Sequence, residues 1–233
     1  MAAAKGYHQL HPEKKLVVLE INSSLGGTCA KERLYPGLRT NNMLGTYEYP
    51  DFPMDSETFG TQPGEHMTGT VMHSYLAKYA EKFDILDKIR YRSKVLTAEH
   101  QDGREGGWIL AVQTDSAETK IRTRKLILAT GLTSEPFLPH IEGQEAFGAP
   151  LFHGRHFLQH SDTLESAKTV TVFGGTKSAW DAVYAFGTKG VKVNWVIRGE
   201  CSVCYGMYVS AHHVVLQRAA TVPHGWPLHT SLR

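Results

Sequence analysis

Apolar positions along the chain alternate between helical and strand-like spacing. Residues 2–11 read as the last turns of a helix, closed by Pro12. The apolar run Leu16-Val17-Val18-Leu19 follows and stops on acidic Glu20. Val71, Tyr75, Leu76, Tyr79, Ala80 and Phe83 recur three and four apart, which predicts a helix with one apolar face. Strand-like runs come next at 89–99, 108–114 and 120–124, with Gly103 and Gly106-Gly107 between the first two, as in a hairpin. The segment Lys125-Leu126-Ile127-Leu128-Ala129, apolar after its lysine, predicts a buried strand that ends in the small-residue turn Ala129-Thr130-Gly131.

Pro136, Pro139 and Gly143 then make a stiff boundary. Beyond it the pattern reads strand (Thr169-Val170-Thr171-Val172-Phe173), glycine-rich turn (Gly174-Gly175-Thr176-Lys177-Ser178-Ala179), helix (180–188) and strand (191–197). Residues 22–70 are rich in Gly, Pro, Asn and Tyr with little periodicity, and a long irregular stretch inside a domain is usually functional. Residues 199–233 hold one acidic residue, no lysine, four histidines and two cysteines. They read as an atypical tail, with a helix suggested only at 209–220.

Two of these segments carry chemistry. A short apolar strand ending in a carboxylate is the second strand of a dinucleotide-binding unit, where the acid accepts hydrogen bonds from ribose hydroxyls. Glu20 fills that role, and Gly26-Gly27 behind it would let the chain pass close to a cofactor. The acid normally follows a glycine-rich phosphate loop by about 20 residues. Counting back from Glu20 passes the first residue, so the chain is expected to be truncated ahead of this unit. In the second segment Gly174, Thr176 and Ala179 stand at the three loop positions. Ala is acceptable at the third, whereas Thr at the second crowds a phosphate. Arg198 follows the next strand and suits the 2′-phosphate of NADP, its other reading being a solvated surface charge.

Composition narrows the class without choosing a chemistry. With 233 residues, 41% hydrophobic and 21% charged, the chain has the make-up of a soluble globular protein of one large or two small domains. A net charge of +2, evenly spread, argues against a nucleic-acid surface. No apolar stretch is long enough to span a bilayer, and residues 1–12 lack the layout of a signal peptide. Three cysteines do not make a disulfide scaffold, so a reduced, cytoplasmic protein is expected. Cys201 and Cys204 lack a second ligand pair at metal spacing, so no metal site is expected. No pattern sets an oligomeric state.

Taken in order, these motifs resemble the flavin-dependent monooxygenases. They are Glu20, Leu25-Gly26-Gly27-Thr28, Arg33-Leu34-Tyr35-Pro36-Gly37, Thr40-Asn41, residues 47–54, Tyr75-Leu76-Ala77-Lys78-Tyr79-Ala80, Ala129-Thr130-Gly131 and Gly174-Gly175-Thr176-Lys177-Ser178-Ala179. The resemblance is to the flavin-containing and Baeyer–Villiger group, especially its fungal members, and covers roughly 1–198. It implies an α/β fold of two dinucleotide-binding, Rossmann-like units. Residues 1–143 would form a partial FAD-binding domain that lacks its first strand and glycine loop. Residues 144–198 would form a partial NADPH-binding domain.

The resemblance also implies roles. Glu20, Gly26 and Gly27 would hold FAD, and Ala129, Thr130 and Gly131 would close over it. Tyr35, Thr40 and Asn41 would run beside the isoalloxazine, with Asn41 the catalytic contact to flavin or nicotinamide. Gly174, Thr176, Ser178, Ala179 and Arg198 would hold NADPH. The implied reaction passes through a C4a-(hydro)peroxyflavin and puts one atom of O2 into a small organic substrate, in fungal secondary metabolism. The chain departs from the family at Cys29, where an aromatic residue is usual. It departs again at Leu158, where the Phe152-His153-Gly154 fingerprint calls for a histidine; His156 and His160 flank that position. The competing expectation is a non-catalytic remnant with residual nucleotide binding or an interaction role. A pyridine-nucleotide reductase is a third reading, but it needs a redox-active cysteine pair near the first flavin strand, and Cys29 has no such partner.

Overall fold

In a computed structural model, residues 1–103, 106–131 and 135–197 are described. Arg198 and the tail 199–233, including the suggested helix at 209–220, lie outside them. The chain divides into two compact units, Met1–Leu34 with Asn42–Pro136, and Tyr35–Asn41 with the chain from Phe137 onward.

The first unit opens with α1 (Ala2–Leu10), and the extended chain behind it leads into β1 (Val18–Leu19). Only these two residues of the predicted strand acquire a ladder. Two 3-10 turns follow, and β2 (Arg39–Met43) carries the chain between the units. Next come α2 (Ser56–Phe59), capped by Asp55 accepting from the Thr58 N–H at 2.6 Å, and β3 (His66–Thr68).

The predicted amphipathic helix is α3 (Gly69–Lys82). Thr68 caps its start by accepting from the Val71 N–H. Its end is closed by Asp84 in the left-handed region (φ 54°), after which the Ile85 N–H donates to the Ala80 carbonyl at 2.8 Å. The apolar face of α3 divides between two clusters. Met72 and Tyr75 pack with Met54, Phe59 and Met67, whereas Ala80 packs with Ala4, Leu25 and Ile85. Tyr75 is fully buried; its hydroxyl donates to the Phe52 carbonyl and accepts from the Tyr49 N–H, both at 2.6 Å. One phenol thereby orders a loop that has no periodicity of its own.

The run 89–99 is broken rather than continuous. β4 (Ile89–Arg90) pairs in parallel with β1, Arg92 turns through φ 51°, and β5 (Lys94–Gln101) starts a separate sheet. In that sheet β6 (Gly107–Gln113) pairs antiparallel with β5 and with β7 (Glu118–Thr123), as the glycine pattern predicts. The strand expected at 125–129 does not form. The segment belongs to no helix or strand, and Ile127 and Leu128 are exposed. An apolar run becomes a buried strand only where a neighbouring strand satisfies its backbone, and no described strand flanks this one.

The second unit contains a 3-10 segment at Gly154–His160, then α4 (Thr163–Ser166), β8 (Thr169–Phe173), α5 (Lys177–Thr188) and β9 (Lys192–Val196). β8 and β9 are parallel and in register from Thr169↔Lys192 to Phe173↔Val196. The core under them joins Val183 and Phe186 of α5 to Phe157, Leu164, Val191 and Val193. This is the predicted βαβ unit, with its helix starting earlier than the periodicity alone suggests.

Candidate functional site

In the first unit the site is built around the end of β1. The Glu20 backbone is held on both sides: its N–H donates to the Arg90 carbonyl at 3.0 Å, and its carbonyl accepts from the Ser93 N–H at 2.9 Å. Asn22 donates its backbone N–H (2.9 Å) and its Nδ2 (2.7 Å) to Glu20 Oε1. Oε2 keeps no partner among the described residues, and the residue is half-buried. A carboxylate fixed through one oxygen and open at the other is suited to accept from a ribose hydroxyl.

Gly26 and Gly27 form the turn that follows. Gly26 has φ 117°, and a Cβ there would lie 2.9 Å from the Cys29 carbonyl oxygen, so only glycine fits. Behind the turn, Ser24 Oγ donates to Glu32 Oε2 at 2.7 Å and accepts from the Lys31 N–H at 2.8 Å, and Ser23 Oγ bonds Glu32 Oε1. Burial pushes the Glu32 carboxyl up, but the Ser24 hydroxyl, nearby backbone N–H groups and the His73 charge together hold it below the usual range. Burial raises the Tyr91 phenol, and the adjacent negative charges of Glu20 and Glu32 raise it further. His73 Nδ1 donates to the Cys29 carbonyl at 3.0 Å. Burial raises the Cys29 thiol, opposed by Arg33, which leaves it protonated and a poor nucleophile. Ala129, Thr130 and Gly131 belong to the same unit and lie exposed on the unpaired segment.

The second unit holds the glycine loop. Gly174 has φ 125°, and its N–H donates to the Val196 carbonyl at 3.0 Å while its own carbonyl accepts from Trp195 Nε1 at 2.7 Å. A Cβ on Gly174 would come within 3.7 Å of the Ala179 Cβ, the close helix–strand approach expected of such a loop. Thr176 is the N-cap of α5 with an exposed side chain and no side-chain cap bond. Ser178 is exposed and Ala179 buried. The first turn of α5 therefore presents backbone N–H groups beside a tight glycine turn, the arrangement that binds phosphate.

Other residues complete this half. Lys177 Nζ reaches Asp181 Oδ1 at 2.6 Å and also bonds Oδ2, which accepts in turn from the Tyr35 hydroxyl at 2.6 Å. Tyr35 therefore packs with the glycine-loop helix, its ring 5.4 Å from that of Phe157. Thr40 is half-buried and Asn41 exposed, both on β2. The Phe152-His153-Gly154 segment also meets the loop, since a Cβ on Gly154 would touch the Ser178 Cβ at 3.7 Å. His153 Nδ1 accepts from the Arg155 N–H at 3.0 Å, and His160 stacks on Phe152 at 4.2 Å, which leaves His156 without an assigned task. Arg198 lies outside the described residues.

Sequence patterns did not single out Asn22, Ser24, Glu32, Lys177 or Asp181. The i,i+4 spacing of Lys177 and Asp181 was the one available signal. Asn22 and Glu32 act through chain folding that no local pattern marks. No group of three or more His, Cys, Asp or Glu among the described residues is placed to hold a metal ion, and none of their helices is long and apolar enough to cross a membrane.

Residues 39–210 match the family described as Pyridine nucleotide-disulphide oxidoreductase. An FAD-dependent monooxygenase of Aspergillus nomiae is 38% identical over 86% of this chain and 36% of that protein. One from Pyrenophora dematioidea is 39% identical over 85% of this chain and 37% of that protein. The chain thus spans little more than a third of the length of these curated relatives. Among solved structures, closed cyclohexanone monooxygenase superposes with a TM-score of 0.67 at 19% identity, over 84% of this chain and 35% of that one. OTEMO solved with FAD and NADP gives 0.66 at 20% identity, over 84% and 36%. At that identity the likeness is one of fold. By its own matched residues, the chain belongs to the pyridine nucleotide-disulphide oxidoreductase family.

Proposed function

We propose that this chain is nucleotide-binding sequence of an FAD- and NADPH-dependent monooxygenase acting on a small organic substrate and O2, in fungal secondary metabolism. The observation that carries the proposal is the loop Gly174-Gly175-Thr176 between five-residue β8 and twelve-residue α5, with Thr176 and Ser178 exposed at the helix start. It is joined by a ribose-type carboxylate, Glu20, whose Oε2 is open.

Each residue then has a task. Glu20 accepts from the FAD ribose, held in position by Asn22 and the Arg90 carbonyl. Gly26 and Gly27 keep side chains away from the cofactor path. Ala129, Thr130 and Gly131, exposed as they are, remain available to cover it. The Gly174 turn and the first amides of α5 bind the NADPH pyrophosphate, with Arg198 proposed for the 2′-phosphate. Asp181 neutralises Lys177, so the positive potential at the loop comes from aligned amides rather than from that ammonium. Tyr35, Thr40 and Asn41 would lie beside the reacting rings, where exposed Asn41 would offer a donor and an acceptor. FAD, when bound and reduced by NADPH, supplies the oxygen activation: one oxygen atom goes to the substrate and the other leaves as water. A cytoplasmic setting is part of the same proposal, since Cys29 is a free thiol.

A second reading, NADPH binding without flavin turnover, is favoured by one observation: residues 125–129, which run into the expected FAD-covering turn, are unpaired, and 127–129 are exposed. The visible spectrum after desalting separates the two. Oxidised-flavin bands bleached by NADPH support the monooxygenase. A colourless chain that binds NADP+ yet cannot be reconstituted with FAD supports the second reading, and one that binds neither overturns both.

A further inference from the structure

The first unit carries a charged cleft beside its parallel strand pair. Its walls are the last turn of α1 with the segment behind it, including His8, Pro12, Lys14, Lys15, Leu16 and Val17, and the approach to β4 at Asp87, Lys88 and Arg90. The cleft measures about 430 Å³, enough for a phosphate-bearing small molecule. Lys88 precedes β4 and Arg90 ends it, so the cleft runs along the strand pair; Arg90, whose carbonyl accepts from the Glu20 N–H, lines it, whereas Glu20 itself does not.

Four cations, Lys14, Lys15, Lys88 and Arg90, face a single carboxylate, Asp87. That carboxylate is committed to Lys88 at 2.9 Å, and Lys14 has only an exposed partner, Glu13, at 3.4 Å. Lys15 and Arg90 have no ion pair among the described residues. His8 lines the same wall, and its Nδ1 is buried with no hydrogen-bond partner. A buried polar atom without a partner is costly unless something completes it. Like charges converging on one concavity are unfavourable unless an anion joins them. Both deficits call for the same occupant.

We propose that this cleft is a binding site for a small phosphate-bearing anion, gripped by Lys15 and Arg90 and completed by the His8 imidazole. Its lining includes neither Glu20 nor the Gly26 and Gly174 turns, and it does not depend on the roles proposed for them. Polyphosphate oxygens match these groups because each accepts charge-assisted hydrogen bonds from Arg and Lys together.

Titration of inorganic pyrophosphate into the chain, followed by calorimetry and amide NMR, tests the proposal. Binding should shift the amides of Leu16, Val17, Lys88 and Arg90 and the His8 ring signals. The double substitution Lys15→Gln with Arg90→Gln touches exposed side chains only and should weaken binding about tenfold or more with an unchanged circular dichroism spectrum. Arg90→Lys alone should recover most of the affinity. A parallel titration with ADP identifies the source: a nucleotide if ADP binds tighter at the same amides, a free polyphosphate if pyrophosphate does. The proposal is overturned if no shift occurs at these positions, if shifts appear only at Gly174-Gly175-Thr176, or if the double variant binds as the parent does.

Discussion

Each unit contains one parallel strand pair next to a nucleotide-type turn, and the two pairs differ in how they are held. β8 and β9 share five register pairs, are joined through a single helix, and bury Val183 and Phe186 beneath them. β1 and β4 share two pairs, and residues 20–88 intervene. A parallel crossover closed by one helix brings its strands together at small entropic expense. A pair closed through a long irregular segment must be assembled by contacts from elsewhere: Ala80 and Ile85 in the core, and the Tyr75 hydroxyl ordering the loop. The lesson is that the glycine-loop turn rests on its own helix, whereas the Glu20 turn rests on distant residues.

Four measurements would break or sharpen this contrast. Phe186→Ala should have the largest effect, about 3–5 kcal/mol, because Phe186 is buried and stacks on Phe157 at 5.3 Å. Hydrogen exchange should show protection lost in β8 and β9 while α3 keeps its own; equal loss in both would show that the second unit does not stand on its local core. Gly26→Ala should come next, at about 1–3 kcal/mol in denaturant unfolding, since positive φ is joined by a backbone clash. Gly174→Ala, with positive φ but a 3.7 Å neighbour, should cost less. A reversed order would mean that the Glu20 turn is the more adaptable of the two.

Tyr35→Phe removes a 2.6 Å donor to the Asp181 carboxylate and should cost about 1.5 kcal/mol, read in the same unfolding curves. A neutral result would show that Lys177 alone satisfies Asp181. The smallest effect concerns pH. The Glu32 carboxyl is held below its ordinary 4.5 in the folded chain, so its stabilising contribution is present above that value and fades as pH falls through the lower folded one. Glu32→Gln should flatten the acid side of the stability profile, and an unchanged profile would remove Glu32 from the support of the Glu20 turn.

Much of the architecture was legible in order and type. The helix at Gly69–Lys82, the hairpin strands around Gly103 and Gly106, and the strand–loop–helix–strand unit from Thr169 onward all follow from periodicity and glycine placement. The errors share a cause. The run 89–99 split at Arg92, and 125–129 stayed unpaired, because pattern reports that a segment suits a strand without reporting whether a neighbour is there to bond it. Among the candidate residues, Glu20 directly follows β1 and Gly26 and Gly174 occupy positive-φ turns, settings that local pattern suggests, whereas Tyr35 bonds Asp181, a partner that motif logic did not name.

The amino-acid order by itself determined the elements whose information is local: which segments turn, which face of a helix is apolar, and where a glycine-lined loop meets a helix start. Only the tertiary structure decided which oxygen of Glu20 stays open, which helix Tyr35 serves, and that cations from residues 14–15 and 88–90 converge on one cleft. Hydrogen bonds and like charges act over a few ångströms, and the residues that come within that distance are chosen by packing, which separation along the chain does not record.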